Sequence, residues 1–202
     1  GVTGVQTCAL PILAANHCSL IDTPIVYLAI PRRLRRRTAT VGGLDYFQAS
    51  PEHPWPERFF RNAVIWFIRS SMSVLLIDRV QGEYDRIDRL GQVLAQGWSL
   101  MIFPEATRSR TGRMGRFRHG ASELAGRHDV PVVPIRIDGT DRVLPPGAAW
   151  PRPGRIVVSV GDPIHRRPEE GASAFTARIR SEIESLGDAV ETDVVAPMES
   201  TA

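Results

Sequence analysis

Residues 12–22 read Ile12-Leu13-Ala14-Ala15-Asn16-His17-Cys18-Ser19-Leu20-Ile21-Asp22, followed by a segment with Pro24 near its start and Pro31 at its end. A short apolar run that breaks into a polar cluster reads as the end of a strand. Proline is tolerated in a first helical turn because the N–H there has no partner anyway, so Thr23 to Ile30 reads as a helix that Pro31 stops. The turn between strand and helix carries an imidazole and an acid. An imidazole is suited to taking a hydroxyl proton near neutral pH. A carboxylate on its other nitrogen would fix the tautomer and stabilise the imidazolium. In one continuous helix, residues five apart lie roughly 140° apart around the axis. His17 and Asp22 therefore meet only if His17 sits on the turn and Asp22 in the first turn of the helix. The alternative is that Asp22 favours the helix N-terminus, with Ser19 as a cap.

The alternation continues along the chain. Thr38 to Gly42, Val74 to Ile77, Leu100 to Phe103, Val132 to Ile137 and Ile156 to Val160 read as strands, the fourth with prolines at its margins. Glu57 to Ser70 reads as an amphipathic helix, with Phe59, Phe60, Ala63, Val64, Trp66 and Phe67 at helical spacing. Asp85 to Gln96 reads as a helix ended by Gly97, and His119 to Arg127 and Ala172 to Ser185 as two more. Residues 43–56 and 139–154 are read as loops, and the chain after Gly187 as a flexible, frayed tail. Strands separated by helices indicate an α/β domain.

At 202 residues the chain fits one domain with a real core. The formal charge is only +3, yet all 25 basic residues are arginine; guanidinium forks bind phosphate in a bidentate way that lysine does not. Two cysteines, Cys8 and Cys18, give no disulfide framework and no metal spacing. Residues 1–12, GVTGVQTCALPI, read as a non-native leader, a translated sequencing adapter, with the domain expected over 13–186 and truncated at its N-terminus.

Three further motifs carry chemistry. Ile77-Asp78-Arg79 puts a cation after a strand, at the sheet edge where ligands of α/β folds bind. Phe103-Pro104-Glu105-Ala106-Thr107-Arg108-Ser109 follows a strand with an acid, a hydroxyl and a guanidinium; Arg108 is suited to phosphate, with Glu105 orienting Arg108 or a hydroxyl. Arg110, Arg113, Arg116 and Arg118 extend the positive field. Val130-Pro131-Val132-Val133-Pro134-Ile135 is apolar and would shape a pocket.

In this order, the segments resemble the four blocks of the glycerolipid acyltransferase family, which includes bacterial 1-acylglycerol-3-phosphate acyltransferases. The first block, NHxxxxD, is matched at Asn16, His17 and Asp22. The second is matched at Ile77, Asp78 and Arg79, the third at six positions from Phe103 to Ser109, and the fourth around Pro134. Ala106 and Ser73 stand where the family pattern has glycine. A methyl group at 106 would narrow the phosphate loop or demand a different backbone angle. The resemblance implies a mixed central sheet flanked by helices, and an O-acyltransferase. His17 would deprotonate an acceptor hydroxyl and Asp22 would orient it. Arg79, Glu105, Thr107 and Arg108 would bind the acceptor's phosphate, supported by Asn16, Asp78, Pro104 and Pro134. The donor would be acyl-CoA or acyl carrier protein, the acceptor lysophosphatidic acid or a related lysophospholipid. No metal and no other cofactor is expected. Other readings keep the His17–Asp22 pair with a different lipid or polar alcohol acceptor, make the chain a non-catalytic lipid-binding module, or use Cys18 as a nucleophile.

Arg32, Arg33, Arg35, Arg36 and Arg37 fall within six positions. Near anionic lipid each contributes on the order of 1 kcal/mol, and the aromatic, arginine-bearing helix at 57–70 has interfacial character. A membrane surface is therefore an expected partner. The expected location is the cytoplasmic face of the cell membrane, peripheral or anchored by a missing N-terminal segment. The arginines are not interleaved with stacking aromatics, so nucleic acid is not expected.

Overall fold

Ile12–Ala15 forms strand β1, and all four of its residues are buried. Ile12 and Ala14 pack into one hydrophobic cluster, Leu13 and Ala15 into another. Successive strand residues point to opposite faces, so β1 is covered on both sides, as a parallel sheet requires. The computed structural model describes residues 10–43, 59, 62–66, 73–77, 83–109, 113–146, 148, 150–187 and 192–193.

The chain continues through α1 (Asp22–Ala29), α2 (Arg32–Arg35), β2 (Thr38–Gly43), β3 (Ser73–Ile77), α3 (Glu83–Ala95) and β4 (Ser99–Ile102). It then forms α4 (Gly120–His128), β5 (Val132–Asp138), α5 (Thr140–Val143), β6 (Val157–Val160), α6 (Ala172–Ser185) and β7 (Thr192–Asp193). The strand order is β3-β2-β4-β1-β5-β6-β7. The first five strands are parallel, and β6 and β7 add antiparallel pairings. This is the α/β domain that the alternation of strands and helices predicts, with the mixed sheet that the family resemblance implies.

Helices cover the two faces unequally. Ile87, Leu90 and Leu94 of α3, Leu124 and Ala125 of α4, and Phe175, Ile179 and Ile183 of α6 join the cluster around Ile12 and Ala14. Val26 of α1 and Val143 of α5 join the cluster around Leu13 and Ala15, with Val64 packed against it. Residues 62–66 are helical, within the segment read as 57–70; the rest of that segment, apart from helical Phe59, lies outside the described residues. α3 ends as the sequence predicts, with Gly97 at φ 76°, the left-handed geometry that closes a helix.

Three local expectations need correction. Pro134 lies inside β5 rather than at its margin. A proline interior to a sheet needs a break in the ladder, and there is one: Ile135 opposes Val160 while Val132 opposes Ile164. That leaves one extra residue on the β6 side, a bulge. A Cβ at Gly161 would come within 2.8 Å of the Pro134 ring, so glycine permits this close approach. Secondly, residues 139–154 contain the single helical turn α5, too short to show periodicity. Thirdly, Thr192 and Asp193, in the stretch read as a tail, pair with Val158 and Val157.

The strand order opens a crevice at the carboxyl edge. β1 and β4 are neighbours, with Ala14 opposite Ile102. The connection leaving β1 passes over one face of the sheet toward β2, and that leaving β4 passes over the other toward β5. Ligands of open α/β sheets bind where such connections diverge. The first and third motifs are the two loops that leave these strands.

Candidate active site

Asn16 is the first residue beyond β1, and its side chain extends the strand's bonding. Its amide donates to the Ile137 carbonyl at 2.8 Å and accepts from the Ile137 N–H at 2.7 Å. This amide-to-backbone pair fixes where the next residue leaves the sheet.

That residue is His17. Its Nδ1 lies 2.8 Å from Asp22 Oδ2. Asp22 is the first residue of α1 and is fully buried, whereas the His17 side chain is 12% exposed. The same Oδ2 accepts the N–H groups of Cys18 at 2.6 Å and Ser19 at 2.7 Å. A carboxylate only accepts. Nδ1 therefore carries the proton, and Nε2 is left with the lone pair a general base needs. Ser19 is no cap: its Oγ donates to the Leu144 carbonyl at 2.7 Å. Both conditions set by the sequence, His17 on the turn and Asp22 opening the helix, are met.

The loop after β4 holds the other side. Phe103 stacks on the His17 ring, with centroids 4.2 Å apart and planes at 23°. The Ser109 N–H donates to the His17 carbonyl at 2.8 Å. Glu105 is buried, and both its oxygens face backbone: Oε1 accepts the His17 N–H at 2.9 Å and Oε2 the Gly115 N–H at 2.8 Å. The expected placement of Glu105 against a phosphate or its arginine is thus replaced by two main-chain bonds. Pro104 is buried, and its carbonyl accepts the Arg118 N–H at 2.9 Å. Thr107 and Arg108 are exposed on the same loop. Ala106 sits at φ 58°; it has taken the left-handed backbone that glycine would adopt freely.

A cleft of about 630 Å³ opens beside this loop, lined by Glu105, Thr107, Arg113, Arg116, Arg118 and His119 among others. Pro134 is buried in the sheet, in register with Ala14 of β1. β3 ends at Ile77, at the same carboxyl edge. Asp78, Arg79 and Arg110 lie outside the described residues.

Cys18 is buried, and its thiol is pushed up to about 12 by that burial, then by the charges of Asp22, Glu105 and Asp141. It stays protonated at neutral pH, which argues against a nucleophile. Sequence reasoning missed two contributors, the Phe103 stack and the Gly115 N–H. The first is implied only once β1 and β4 are known to be neighbours. The second involves main chain and leaves no signature in residue type.

The chain is thus an α/β domain with a His–Asp pair at the carboxyl edge of its sheet and an arginine-lined cleft beside the loop after β4. A family model described as Acyltransferase matches residues 6–138. The chain belongs to that acyltransferase family. A chloroplastic 1-acyl-sn-glycerol-3-phosphate acyltransferase of Arabidopsis thaliana is 35% identical over 105 residues, which is 50% of this chain. A 1-acyl-sn-glycerol-3-phosphate acyltransferase of Pseudomonas aeruginosa is 37% identical over 79 residues, 39% of this chain. Each match spans 30% of the relative's own length. The crystal structure of the 1-acyl-sn-glycerophosphate (LPA) acyltransferase PlsC from Thermotoga maritima superposes with a TM-score of 0.66 at 21% identity, covering 93% of this chain and 69% of that one. It shares the fold.

Proposed function

We propose that this chain transfers an acyl group from a thioester, acyl-CoA or acyl carrier protein, to the free hydroxyl of lysophosphatidic acid or a closely related lysophospholipid. The observation that carries the reading is the His17–Asp22 contact of 2.8 Å, joined by the His17 N–H to Glu105, a residue that lines the arginine-bearing cleft. His17 Nε2 takes the hydroxyl proton as the oxygen attacks the thioester carbonyl. The C–O bond forms, the C–S bond breaks, and the departing thiolate takes the proton back from the imidazolium. Asp22 holds the ring and balances its charge. Arg108 and Thr107, with Arg79, bind the acceptor's phosphate. The names of the relatives support a phosphorylated acceptor. The direct attack uses no acyl-enzyme, in keeping with a protonated Cys18 thiol.

The substrates are lipids, and the surface offers what a lipid boundary takes up. Leu28 is 50% exposed, Trp66 70% and Trp150 55%, and Arg32, Arg33, Arg35 and Arg36 are solvent-facing or nearly so on and beside α2. We place the protein at the cytoplasmic face of a membrane, where apolar side chains enter the interface and arginines meet lipid phosphates. Among the described residues no helix is long and apolar enough to cross a membrane.

The test is a matrix of donors against acceptors, read as thiol release, with His17→Ala as control. Turnover is expected with phosphate-bearing lysolipids and absent in His17→Ala. Equal turnover with acceptors lacking phosphate would count against the acceptor assignment; full activity of His17→Ala would end the mechanism.

A further inference from the structure

We propose that Glu105 is a positioning residue, joining the catalytic turn to the wall of the cleft and so setting where the His17 ring stands relative to a bound acceptor. The inference rests on the acyl-transfer reading above and replaces a phosphate-contacting role for this carboxylate. Glu105 is 7% exposed. One oxygen receives the His17 N–H at 2.9 Å and the other the Gly115 N–H at 2.8 Å. A carboxylate facing a phosphate repels it; turned onto two N–H groups, it makes charge-assisted bonds, which are the stronger kind.

The two ends of this link are themselves held. The His17 peptide is fixed at its carbonyl by the Ser109 N–H at 2.8 Å. The Gly115 carbonyl accepts Arg180 from α6 at 2.9 Å, and the Met114 carbonyl accepts the same guanidinium at 3.3 Å. A continuous path runs from α6 through Arg180, Gly115 and Glu105 to the main chain of His17. Gly115 lines the cleft, and a Cβ there would stand 3.2 Å from Glu105 Oε2, so the small residue lets the carboxylate approach. The His17 ring is thus set at Nδ1 by Asp22, on its face by Phe103, and at its backbone by Glu105. A misplacement of about 1 Å in such a constellation costs on the order of a hundredfold in rate.

Glu105→Gln tests this, because the amide turns one N–H donor against another while preserving shape. Expected are a fall in kcat of about tenfold to a hundredfold, KM values for both substrates within about threefold of wild type, and shifted backbone amide resonances for His17 and Gly115. Gly115→Ala, which crowds the same oxygen, is the second variant should Glu105→Gln not fold; its kcat is expected to fall severalfold with KM little changed. A raised acceptor KM at unchanged kcat would overturn the inference in favour of phosphate binding. Unchanged kinetics with only a lowered unfolding midpoint would overturn it in favour of a purely structural bond. His17→Ala is run in parallel. Full activity there sinks the acyl-transfer reading rather than the link, and unshifted His17 and Gly115 amides in Glu105→Gln would still overturn the link.

Discussion

Replacing Asp22 by asparagine isolates the charge of the pair from its geometry. Asp22 Oδ2 accepts three donors, the ring Nδ1–H and the N–H groups of Cys18 and Ser19. Oδ1 is buried with no hydrogen-bonding partner among the described residues. An asparagine therefore has one workable orientation: oxygen toward the three donors, NH2 in the place of Oδ1. The reverse would set an NH2 against two backbone N–H groups. The proton on Nδ1 is thus retained, unlike in triads where asparagine imposes the wrong tautomer at a cost of about 10⁴ in kcat. What is lost is the attraction between imidazolium and carboxylate. Unit charges about 4 Å apart at an effective dielectric of about 20 attract by about 4 kcal/mol, which is about a thousandfold in rate. The assay is kcat/KM from thiol release, with urea unfolding on the same preparations. A loss under about tenfold, in protein with a wild-type unfolding midpoint, would refute the claim that Asp22 stabilises the imidazolium by its charge.

Ala106→Gly removes a side chain held at φ 58°; the left-handed penalty of about 1–2 kcal/mol, less about 0.4–1 for the freer unfolded chain, predicts a higher denaturant midpoint, and a lower one would contradict it. Cys18→Ser is expected to keep activity, and iodoacetamide at pH 8 is expected to leave native Cys18 unmodified in site-resolved mass spectrometry, because its thiol is pushed up to about 12. The Glu170 carboxyl is lowered from its ordinary 4.5 to about 2, chiefly by the Arg178 guanidinium and also by the Arg167 N–H. A depressed carboxyl contributes stability above its unfolded pKa and loses it as pH falls toward the folded one. Wild type is therefore expected to lose this contribution between about pH 4.5 and 2, and Glu170→Gln, compared by urea unfolding across that range, to lack that part of the slope.

Much of the fold was legible because its signals are local. Pro24 and Pro31 delimit α1, Gly97 closes α3, and apolar runs such as Ile12 to Ala15 and Leu100 to Phe103 are short and bounded by polar or proline residues. Pro134 was misplaced because its tolerance depends on a bulge formed with residues 161–164, which no window around Pro134 contains. The His17–Asp22 pair was readable as a conditional: its spacing forbids one helix and allows a turn followed by a helix. Glu105 was assigned by residue type, as an acid among phosphate-binding neighbours. Its actual partners are two main-chain N–H groups, one of them 88 residues away in sequence, and main-chain donors are the same at every position except proline.

The meeting of the first and third motifs is the part that sequence order conceals. A chain read strand by strand would seat β2 beside β1, leaving Phe103–Ser109 far from His17. Instead β4 inserts between them. Right-handed crossovers require connections running in opposite directions along a sheet to lie on opposite faces. The chain leaving β1 and the chain leaving β4 must then separate as soon as they clear the strands. The separation exposes the carboxyl edge between them, but would also leave the two loops free to drift apart. The bonds from His17 to Glu105 and from Ser109 to His17 tie the two loops together. The topology that parts the two loops thus also creates the need for a link between them; Glu105, on the loop after β4, meets it with Oε1 on the His17 N–H, while Oε2 holds Gly115 further along its own connection.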